Sequence, residues 1–470
     1  MLSAQQETAG EIAYRSIRSD IIGGHLAPRS RLRLEALKEH YSASVSTLRE
    51  TLYRLSAEGL VCSEGQRGFE VAAVTQEEFQ QLADLRELLE SHALRGSFLK
   101  GDLEWEGRVV GAYHKLETME RLMILGDSSR SAEWKHYDRE FHHTLVSACG
   151  STELLQAYSA IFDRYQRYQI VAVIFRGEAA AEEHRLLLDA ALGRDADHAT
   201  AVLHQHISAC VAHTLETGQL ASTELSSIEL SSSRTHGMPG KSEALTSVGE
   251  AAWHRIRADI IAGKLIPGRK LKLSSLRDDY GTSVATLREV LNRLASEGFV
   301  VAEGQRGFEV APISEQNVCE LADLRLLVEG RALEDSLKKG DVDWEARVVA
   351  AHHKLATIDA DKASSDPQLA ERWKQYDGQF HQALISACGS EALMHLHNAV
   401  FDKYLRYQLN AVSSRGRVVA DEHRMLCDCA LRRDARGARD ILQQHLRGAT
   451  EHALATGTIA AQEVFRLEPP

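Results

Sequence analysis

The chain has 470 residues, which is too long for one hydrophobic core and fits two to four domains. Apolar residues make up 44% and charged residues 26%, as in an ordinary globular protein, and no run of about eighteen uncharged apolar residues exists to span a membrane. A net charge of -12 argues against a protein that coats nucleic acid along its whole surface, but it allows a local basic module.

The compartment is suggested by two further features. The N-terminal segment lacks the apolar core of a secretion signal, which predicts a cytoplasmic protein. The seven cysteines include no Cys-x-x-Cys pair, and this usage is typical of a reducing compartment.

The sequence repeats itself at a fixed interval. The phrase SVSTLRETLYRLSAEGLV begins at Ser44, and SVATLREVLNRLASEGFV begins at Ser283, 239 positions later. At this interval the match extends without a gap from about residues 14–218 to residues 253–457. The chain is therefore a tandem duplication, and the halves are called copy 1 and copy 2.

Each copy divides again. Moderate helices and a Gly-bounded strand pair give way to long helical patterns, and a Ser- and Gly-rich stretch without periodicity reads as a linker between the copies. The predicted ranges are 1–74 and 75–220 for copy 1, 221–249 for the linker, and 250–313 and 314–470 for copy 2.

The N-terminal module of copy 1 reads as three helices and a hairpin. Apolar residues recur at helical spacing after Glu11, Gly and Pro then end that helix, and a second short helix follows. Ser44 or Ser46 can cap a third helix that ends near Gly59. LVCSEGQRGFEVAAV has the pattern of a β-hairpin with a Gly-containing turn. This order predicts a winged helix-turn-helix, and copy 2 repeats it.

This module resembles the DNA-binding domain of the GntR family of bacterial transcription regulators. The residues in register with the family are Ser44, Arg49, Glu50, Leu52, Gly59, Leu60, Val61, Arg67 and Gly68 in copy 1, and Ser283, Arg288, Glu289, Leu291, Gly298, Arg306 and Gly307 in copy 2. Val45 and Val284 stand where the family has an Arg, and Thr47 and Thr286 where it has a Pro. We therefore expect an unusual DNA sequence or a weaker contact.

The resemblance implies binding to double-stranded operator DNA. A recognition helix presents its N-terminal side chains to base edges, and a guanidinium offers two parallel donors, so Arg49 and Arg288 are predicted to contact guanine or phosphate. Arg67 and Arg306, at the hairpin tips, are predicted to enter the minor groove or meet the backbone. The predicted phosphate ligands are Ser44, Ser46, Thr47, Ser283 and Thr286. A winged helix that binds protein is the alternative interpretation.

Charge is distributed unevenly along the chain. Residues 11–74 contain about nine Lys and Arg against eight acidic residues, and residues 250–313 about ten against eight, while the remainder carries about -15. This difference favours DNA affinity that is confined to the two modules. Two modules in one chain can occupy two half-sites as an intramolecular pseudo-dimer, and pairing with a second chain is also open.

The C-terminal module of each copy shows only amphipathic helical patterns, which predict an all-helical bundle. In copy 1 these cover residues 77–100, 103–122, 131–149, 154–175, 178–192 and 196–217. Asp138 and His142, four apart, share one helix face. The last two helices form a hairpin that turns near Gly193, which puts His184 and His206 at similar heights on adjacent antiparallel helices.

Three histidines and a carboxylate in a bundle core predict a site for a divalent metal such as Zn²⁺ or Ni²⁺. Copy 2 repeats the set as Asp377, His381, His423 and His445. The three histidines are among the few in copy 1 that have a histidine partner in copy 2, which are His114, His142, His184, His206 and His213. Buried histidines without a metal are the alternative.

The bundle resembles the FCD ligand domain of the FadR subfamily within the GntR regulators. In that subfamily an Asp-x-x-x-His helix, a Glu-His and a later His hold a metal, and a small carboxylate effector completes its coordination. An Arg on the first helix corresponds to Arg86 and Arg325, which implies effector binding, although a helix-surface ion pair with Glu90 or Glu329 is an equally good interpretation. Cys149 begins a Cys-Gly-Ser where the subfamily has Ser-Gly-Asn, so a different effector is expected.

The predicted fold is mainly α, with two winged helix-turn-helix domains and two all-helical FCD-like bundles in tandem. The predicted function is a DNA-binding regulator, by resemblance a repressor, that responds to a small carboxylate at its metal site. No general base lies at a motif spacing beside the ligands, so we do not predict an enzyme. The alternatives are a metal-dependent enzyme acting on a small organic acid and a metal-free regulator that responds to acyl-CoA.

Overall fold

The structure is a computed structural model of the chain, and it describes residues 9–63, 68–171, 175–216, 248–302, 307–358, 366–410 and 415–455. The stretch predicted as a linker, 221–249, lies outside these residues except for its last two positions. Within the described ranges, no helix combines the length and apolar character needed to cross a membrane.

Copy 1 contains nine α-helices and three strands in its described part. The helices α1 to α9 are Ala9–Ile22, Leu34–Tyr41, Val45–Ala57, Gln76–Lys100, Leu103–Ile124, Ser131–Val146, Thr152–Val171, Glu178–Leu192 and Ala196–Glu216. The strands β1 to β3 are Arg31–Leu32, Val61–Ser63 and Phe69–Val71. A 3-10 turn, Ser128–Arg130, precedes α6.

Copy 2 repeats this order across the residues that are described there. The helices α10 to α18 are Val248–Ile261, Leu273–Tyr280, Val284–Ser296, Glu315–Lys339, Val342–Ala356, Pro367–Ile385, Glu391–Asn410, Arg417–Arg432 and Ala435–Ala455. The strands β4 to β6 are Lys270–Leu271, Val300–Ala302 and Phe308–Val310. Helices α1 to α9 of copy 1 thus correspond in order to α10 to α18 of copy 2.

The first three helices and the sheet of each copy form a winged helix-turn-helix, as the sequence predicts. The sheet order is β1-β3-β2 in copy 1 and β4-β6-β5 in copy 2, and all pairs are antiparallel. The hairpin strands were predicted, but β1 and β4 were not. Each has only two residues, which is too short for a hydrophobic alternation to be recognised.

The third helix, α3, is fixed at both ends by local chemistry. The side chain of Ser44 accepts a hydrogen bond from the backbone N–H of Thr47, which satisfies one of the free donors at the helix start. Gly59 follows the helix with φ +74°, a conformation that glycine adopts without steric cost. Between these ends, Leu48 and Leu52 are fully buried and hold α3 in the core of the module.

The remaining six helices of each copy form a bundle around a long first helix. In copy 1, α4 lies against α6, α7 and α9, while α5 lies against α6 and α8. The α8–α9 hairpin turns at Arg194, with φ 56°, beside the predicted turn. Helix α6 ends at Val146, three residues earlier than predicted, because the chain turns at Gly150 with φ +77°. This packing brings the middle of α4, α6, α8 and α9 together.

Candidate functional site

Four buried side chains from three helices converge in the bundle of copy 1. Asp138 and His142 are one turn apart on α6, His184 lies on α8 and His206 on α9, and their ligand atoms all lie within 4.8 Å of one another. The ring centroids of His184 and His206 are 4.8 Å apart, as expected for neighbours across the α8–α9 hairpin. The structure therefore brings the four predicted ligands of copy 1 together.

The free atoms of this cluster fit a metal ion. Nε2 of His142 and Nε2 of His184 are buried and have no hydrogen-bond partner in the part of the chain that the structure describes. Nε2 of His184 faces Oδ1 of Asp138 at 3.3 Å. Leaving a buried polar atom unsatisfied costs about 1–3 kcal/mol, and imidazole with carboxylate is a donor set that suits Zn²⁺ or Ni²⁺. Asp138 and the three Nε2 atoms would hold such an ion.

A carboxylate lies behind each of the three histidines and accepts a hydrogen bond from Nδ1. The pairs are His142 with Glu90 at 2.6 Å, His184 with Glu120 at 2.7 Å and His206 with Glu183 at 2.8 Å. Carboxylates in this position fix the ring orientation and keep the proton on Nδ1, so that Nε2 points to the metal. Each histidine of the cluster is thus oriented by a carboxylate of its own.

The charges around the cluster support this assignment of protons. Burial raises the pKa of Glu90, but Arg86 and His142 outweigh it and bring the pKa to about 2. Glu183 reaches a pKa of about 2 in the same way, through His206 and the neighbouring Arg176. Burial lowers the pKa of His206 to about 3. At neutral pH Glu90 and Glu183 are therefore ionised, and His206 is a neutral imidazole that can ligate.

His184 behaves differently because it faces two carboxylates. Burial lowers its pKa, but Glu120 and Asp138 outweigh burial and raise the pKa to about 10. A positive charge is therefore favoured at this point of the cluster. A divalent metal would provide that charge in place of the proton.

Arg86 forms the ion pair with Glu90 that was the alternative interpretation, but the pair is fully buried beside the cluster and does not lie on the helix surface. Its Nε donates to Glu90 at 2.9 Å, and its guanidinium carbon lies 4.4 Å from the ring centroid of Phe162. Nη1 is buried and has no hydrogen-bond partner among the described residues. Arg86 therefore keeps one buried donor that no described side chain uses.

Copy 2 brings its four predicted ligands together in the same way. Asp377, His381, His423 and His445 are all buried, with ligand atoms within 4.8 Å of one another. The atoms without a hydrogen bond in the described part of this site include Oδ1 of Asp377 and Nε2 of His381 and His423, and Nε2 of His423 lies 3.1 Å from Oδ1 of Asp377. Arg325 is fully buried, its Nε donates to Glu329 at 2.7 Å, and both of its terminal nitrogens lack a partner there.

Seven of the nine residues predicted to contact DNA lie in the described part of the winged helices. Arg49 on α3 and Arg288 on α12 are exposed. The hydroxyl of Ser44 caps α3 and lies 2.8 Å from the hydroxyls of both Ser46 and Thr47, so these groups are partly engaged with each other. Ser283 caps α12 in the same way through Thr286 at 3.1 Å. Arg67 and Arg306 lie outside the described residues.

Two family models match the chain in alternation. The FCD domain model matches residues 81–209 and 320–448, and the model described as "Bacterial regulatory proteins, gntR family" matches residues 10–71 and 249–310. The chain belongs to the GntR family of regulators with an FCD domain. It carries two GntR and FCD units in tandem.

Individual GntR relatives match about the length of one copy. The "Uncharacterized HTH-type transcriptional regulator BphR" of Paraburkholderia xenovorans is 38% identical over 206 residues, 43% of this chain and 84% of that protein. The "HTH-type transcriptional repressor GlaR" of Escherichia coli is 31% identical over 210 residues, 43% of this chain and 93% of that protein. These relatives are transcription regulators and not enzymes. The solved structure of E. coli McbR/YncC is 17% identical with a TM-score of 0.40, covering 45% of this chain and 99% of that one.

Sequence reasoning missed several residues of the FCD sites. Glu120 and Glu183 were not predicted as partners of the histidines, and neither was Arg176, which pairs with Glu183. Lys135 is buried one turn before Asp138, has no ion-pair partner among the described residues, and has a pKa that burial lowers to about 7 although Asp138 raises it. Its recurrence three residues before the ligand Asp in both copies was the available signal.

Proposed function

We propose that this GntR regulator binds operator DNA through its two winged helices and that a small carboxylate effector, bound at a metal ion in each FCD domain, controls that binding. The observation that carries the proposal is the set of buried, unsatisfied atoms in one place. Nε2 of His142, Nε2 of His184 and Nη1 of Arg86 make no hydrogen bond in the described structure of copy 1, although Oδ1 of Asp138 lies 3.3 Å from Nε2 of His184. A cation and an anion together would satisfy all three.

The division of roles follows from the chemistry of these atoms. When bound, a Zn²⁺ or Ni²⁺ ion would supply a Lewis-acidic position that takes one carboxylate oxygen of the effector. The free donor of Arg86 would bind a further oxygen, and Arg325 would do the same in copy 2. The ammonium of Lys135 supports an anionic guest, because a buried cation without a counter-ion is costly.

On the DNA side, we propose that the exposed Arg49 and Arg288 contact guanine or phosphate. Arg67 and Arg306 would contact the minor groove or the backbone, and the hydroxyls of Ser44, Ser46, Thr47, Ser283 and Thr286 would bind phosphates. We propose the domain ranges 1–74, 75–220, 250–313 and 314–470, and we propose that the two winged helices, called the DNA readers, act as a pseudo-dimer. The relative GlaR is named a repressor, which supports repression that the effector relieves.

The first test is metal content. The chain purified without a histidine tag should hold two ions, measured by elemental mass spectrometry. His142→Ala and His381→Ala should each remove one ion. His143→Gln is the matched control, because His143 lies beside a ligand and copy 2 carries Gln382 at that position. A chain that binds no ion with all eight ligands intact would contradict the metal site.

The second test is DNA binding. The chain should select a preferred sequence from a random duplex pool, and Arg49→Ala should weaken its binding to that sequence by about 10-fold or more. A panel of small carboxylates, added with Zn²⁺, should include one that changes the affinity, and Arg86→Met should remove that response. Turnover of the carboxylate, or a response to acyl-CoA without metal, would support one of the alternatives instead.

A further inference from the structure

In copy 1 the helix that carries two metal ligands is joined to its neighbour by side-chain bonds. Arg139 follows the ligand Asp138 on α6, and its Nε donates to Oδ1 of Asp163 on α7 at 2.8 Å. Nη2 of Arg139 donates to the hydroxyl of Ser159 on α7 at 3.2 Å. Gln166, also on α7, donates to the backbone carbonyl of Lys135 on α6 at 3.1 Å. Helices α6 and α7 are thus joined at Lys135 and Arg139, one turn apart on α6.

The same Asp163 is bound from the other side by the winged helix. Nη2 of Arg18, on α1, forms an ion pair with Oδ2 of Asp163. Nε of Arg18 donates to Glu58 at 2.9 Å, and Glu58 is the residue that ends the recognition helix α3. Tyr14 on α1 donates to the same carboxylate at 2.5 Å. One chain of contacts therefore leads from beside a metal ligand to the recognition helix: Arg139, Asp163, Arg18, Glu58.

Burial makes this chain of contacts rigid at its centre. The side chain of Asp163 is 2% exposed, and its two guanidinium partners, Arg139 and Arg18, are 35% and 22% exposed. A buried carboxylate is costly when it loses a partner, so Asp163 resists moving away from either arginine. A shift of α6 would therefore act on α1 and α3 through Asp163.

Copy 2 lacks the first member of this chain. Gly378 stands at the position of Arg139, and Leu405 stands at the position of Gln166. The remaining contacts persist, since Arg257 pairs with Asp402 at 2.6 Å and with Glu297 at 3.2 Å. Asp402 is 26% exposed and has one ion-pair partner among the described residues. The winged helix of copy 2 is therefore tied to α16 but not to the metal-ligand helix α15 through these groups.

We infer that Arg139 is a positioning residue that makes the recognition helix of copy 1 respond to metal occupancy, and that copy 2, with Gly378, reads DNA without this response. The inference rests on the proposed function, because it requires a metal at Asp138 and His142. Binding of an ion to two residues of α6 restricts that helix, and the ion-pair chain carries the restriction to α3. By this route the metal would act on the winged helix of copy 1 and not on that of copy 2.

Hydrogen exchange of the full chain measures the two copies separately. Peptides from α1 and α3 report copy 1, and peptides from α10 and α12 report copy 2, each with chelator or with Zn²⁺ alone. We expect Zn²⁺ to slow exchange in α1 and α3 by about 5-fold or more, and to leave α10 and α12 nearly unchanged. Zn²⁺ stoichiometry is measured on every sample by elemental mass spectrometry.

Reciprocal variants provide the decisive comparison. Arg139→Ala should abolish the Zn²⁺ effect in α1 and α3 while two ions still bind. Gly378→Arg should create the effect in α10 and α12, and a Cβ at this position makes an ordinary contact with Cε1 of Phe401 at 3.4 Å. Arg185→Ala removes an exposed arginine of α8 and is the matched control.

The outcomes separate the inference from the function on which it rests. If two ions bind and Arg139→Ala keeps the Zn²⁺ effect on α3, the inference is overturned and the metal site stands. If wild-type α3 and α12 respond equally to Zn²⁺, the inference is also overturned. If neither cluster binds Zn²⁺, the proposed metal site fails and the inference with it. Gain of response in Gly378→Arg supports the inference even where Arg139→Ala is poorly folded.

Discussion

The two FCD domains keep the same donor set and differ in what lies behind it. Both clusters contain an Asp and three His whose ligand atoms lie within 4.8 Å of one another. The neighbours change, since Tyr158 of copy 1 corresponds to His397, and Arg139 to Gly378. All four side chains must keep their geometry together for an ion to bind. The surrounding residues would change only the affinity of the site or its connection to other helices, so they can diverge one at a time after duplication.

The carboxylate behind the α6 or α15 histidine illustrates this divergence. In copy 1, Glu90 accepts hydrogen bonds from Arg86 and His142, and the hydroxyl of the buried Tyr158 has no partner in the described structure. In copy 2, Nε2 of His397 lies 3.3 Å from Glu329, which also accepts from Arg325 and His381. Because three donors share the negative charge of Glu329, its hydrogen bond to His381 should raise the basicity of that histidine less than Glu90 raises that of His142.

The largest difference in Zn²⁺ affinity between the copies should appear when Glu90 or Glu329 is substituted. Glu90→Gln should weaken Zn²⁺ binding by copy 1 by about 10–100-fold, because His142 loses the negative charge of the carboxylate that orients its ring and raises its basicity. Glu329→Gln should weaken copy 2 by less, since His397 already shares that carboxylate. Competition with a chromophoric chelator measures each affinity, in chains whose other site carries a His→Ala substitution.

Two further variants sharpen this first prediction. Tyr158→His should bring the affinity of copy 1 toward that of copy 2. Glu182→Gln, on the exposed side of α8, is the matched control and should leave Zn²⁺ binding unchanged. Equal losses in Glu90→Gln and Glu329→Gln would contradict the role given to His397.

A smaller effect concerns the buried lysine of each site. Burial lowers the pKa of Lys135 to about 7 and that of the half-buried Lys374 to about 8, against an ordinary value near 10.5. Below the lowered pKa both folded and unfolded chains hold the proton, so the folded chain bears the full cost of the buried charge. As the pH rises from about 7 to 10.5, only the unfolded chain stays protonated, and this cost disappears.

Lys135→Met should therefore raise the stability of the chelated protein by about 1–3 kcal/mol at pH 6, and by less at pH 9. Lys374→Met should show the same sign with a smaller gain. Calorimetric unfolding midpoints of each variant and wild type, compared at the same pH, test this directly. A gain that grows with pH would mean that the lysine is not a buried cation.

The fold and the four converging side chains could be predicted because each of their signals is local in the sequence. Asp138 and His142 are four residues apart on one helix, and the 239-residue repeat preserved them while most other histidines changed. Counting residues from the hairpin turn then predicted that His184 and His206 lie side by side. The winged helix was predictable from its caps and glycines in the same local way.

The carboxylate partners of the histidines could not be predicted, because they depend on packing between distant helices. Glu183 directly precedes His184 in the sequence, yet it accepts the hydrogen bond of His206 on the next helix. Successive residues of a helix point about 100° apart, so adjacency in sequence does not indicate which histidine a glutamate contacts. Glu120 reaches His184 from α5, 64 residues away, and nothing in its local sequence marks it among the many glutamates.

The smallest predicted effect concerns the serine caps of the recognition helices, where the two copies should behave alike. Ser44 and Ser283 cap the recognition helices through Thr47 and Thr286, with N–H to hydroxyl distances of 3.2 Å and 3.1 Å. Because the cap is local and exposed, Ser44→Ala and Ser283→Ala should each destabilise their helix by about 1 kcal/mol, whatever the state of the metal sites.

Hydrogen exchange in α3 and α12 measures these local losses separately, which a global unfolding midpoint of a multidomain chain cannot do. Ser46→Ala is the control, because its hydroxyl contacts Ser44 but makes no cap, and copy 2 already has Ala285 there. A loss well above 2 kcal/mol in only one copy would mean that the cap is coupled to the rest of its domain. The divergence of the copies would then extend into the DNA readers themselves, beyond the residues that connect them to the metal sites.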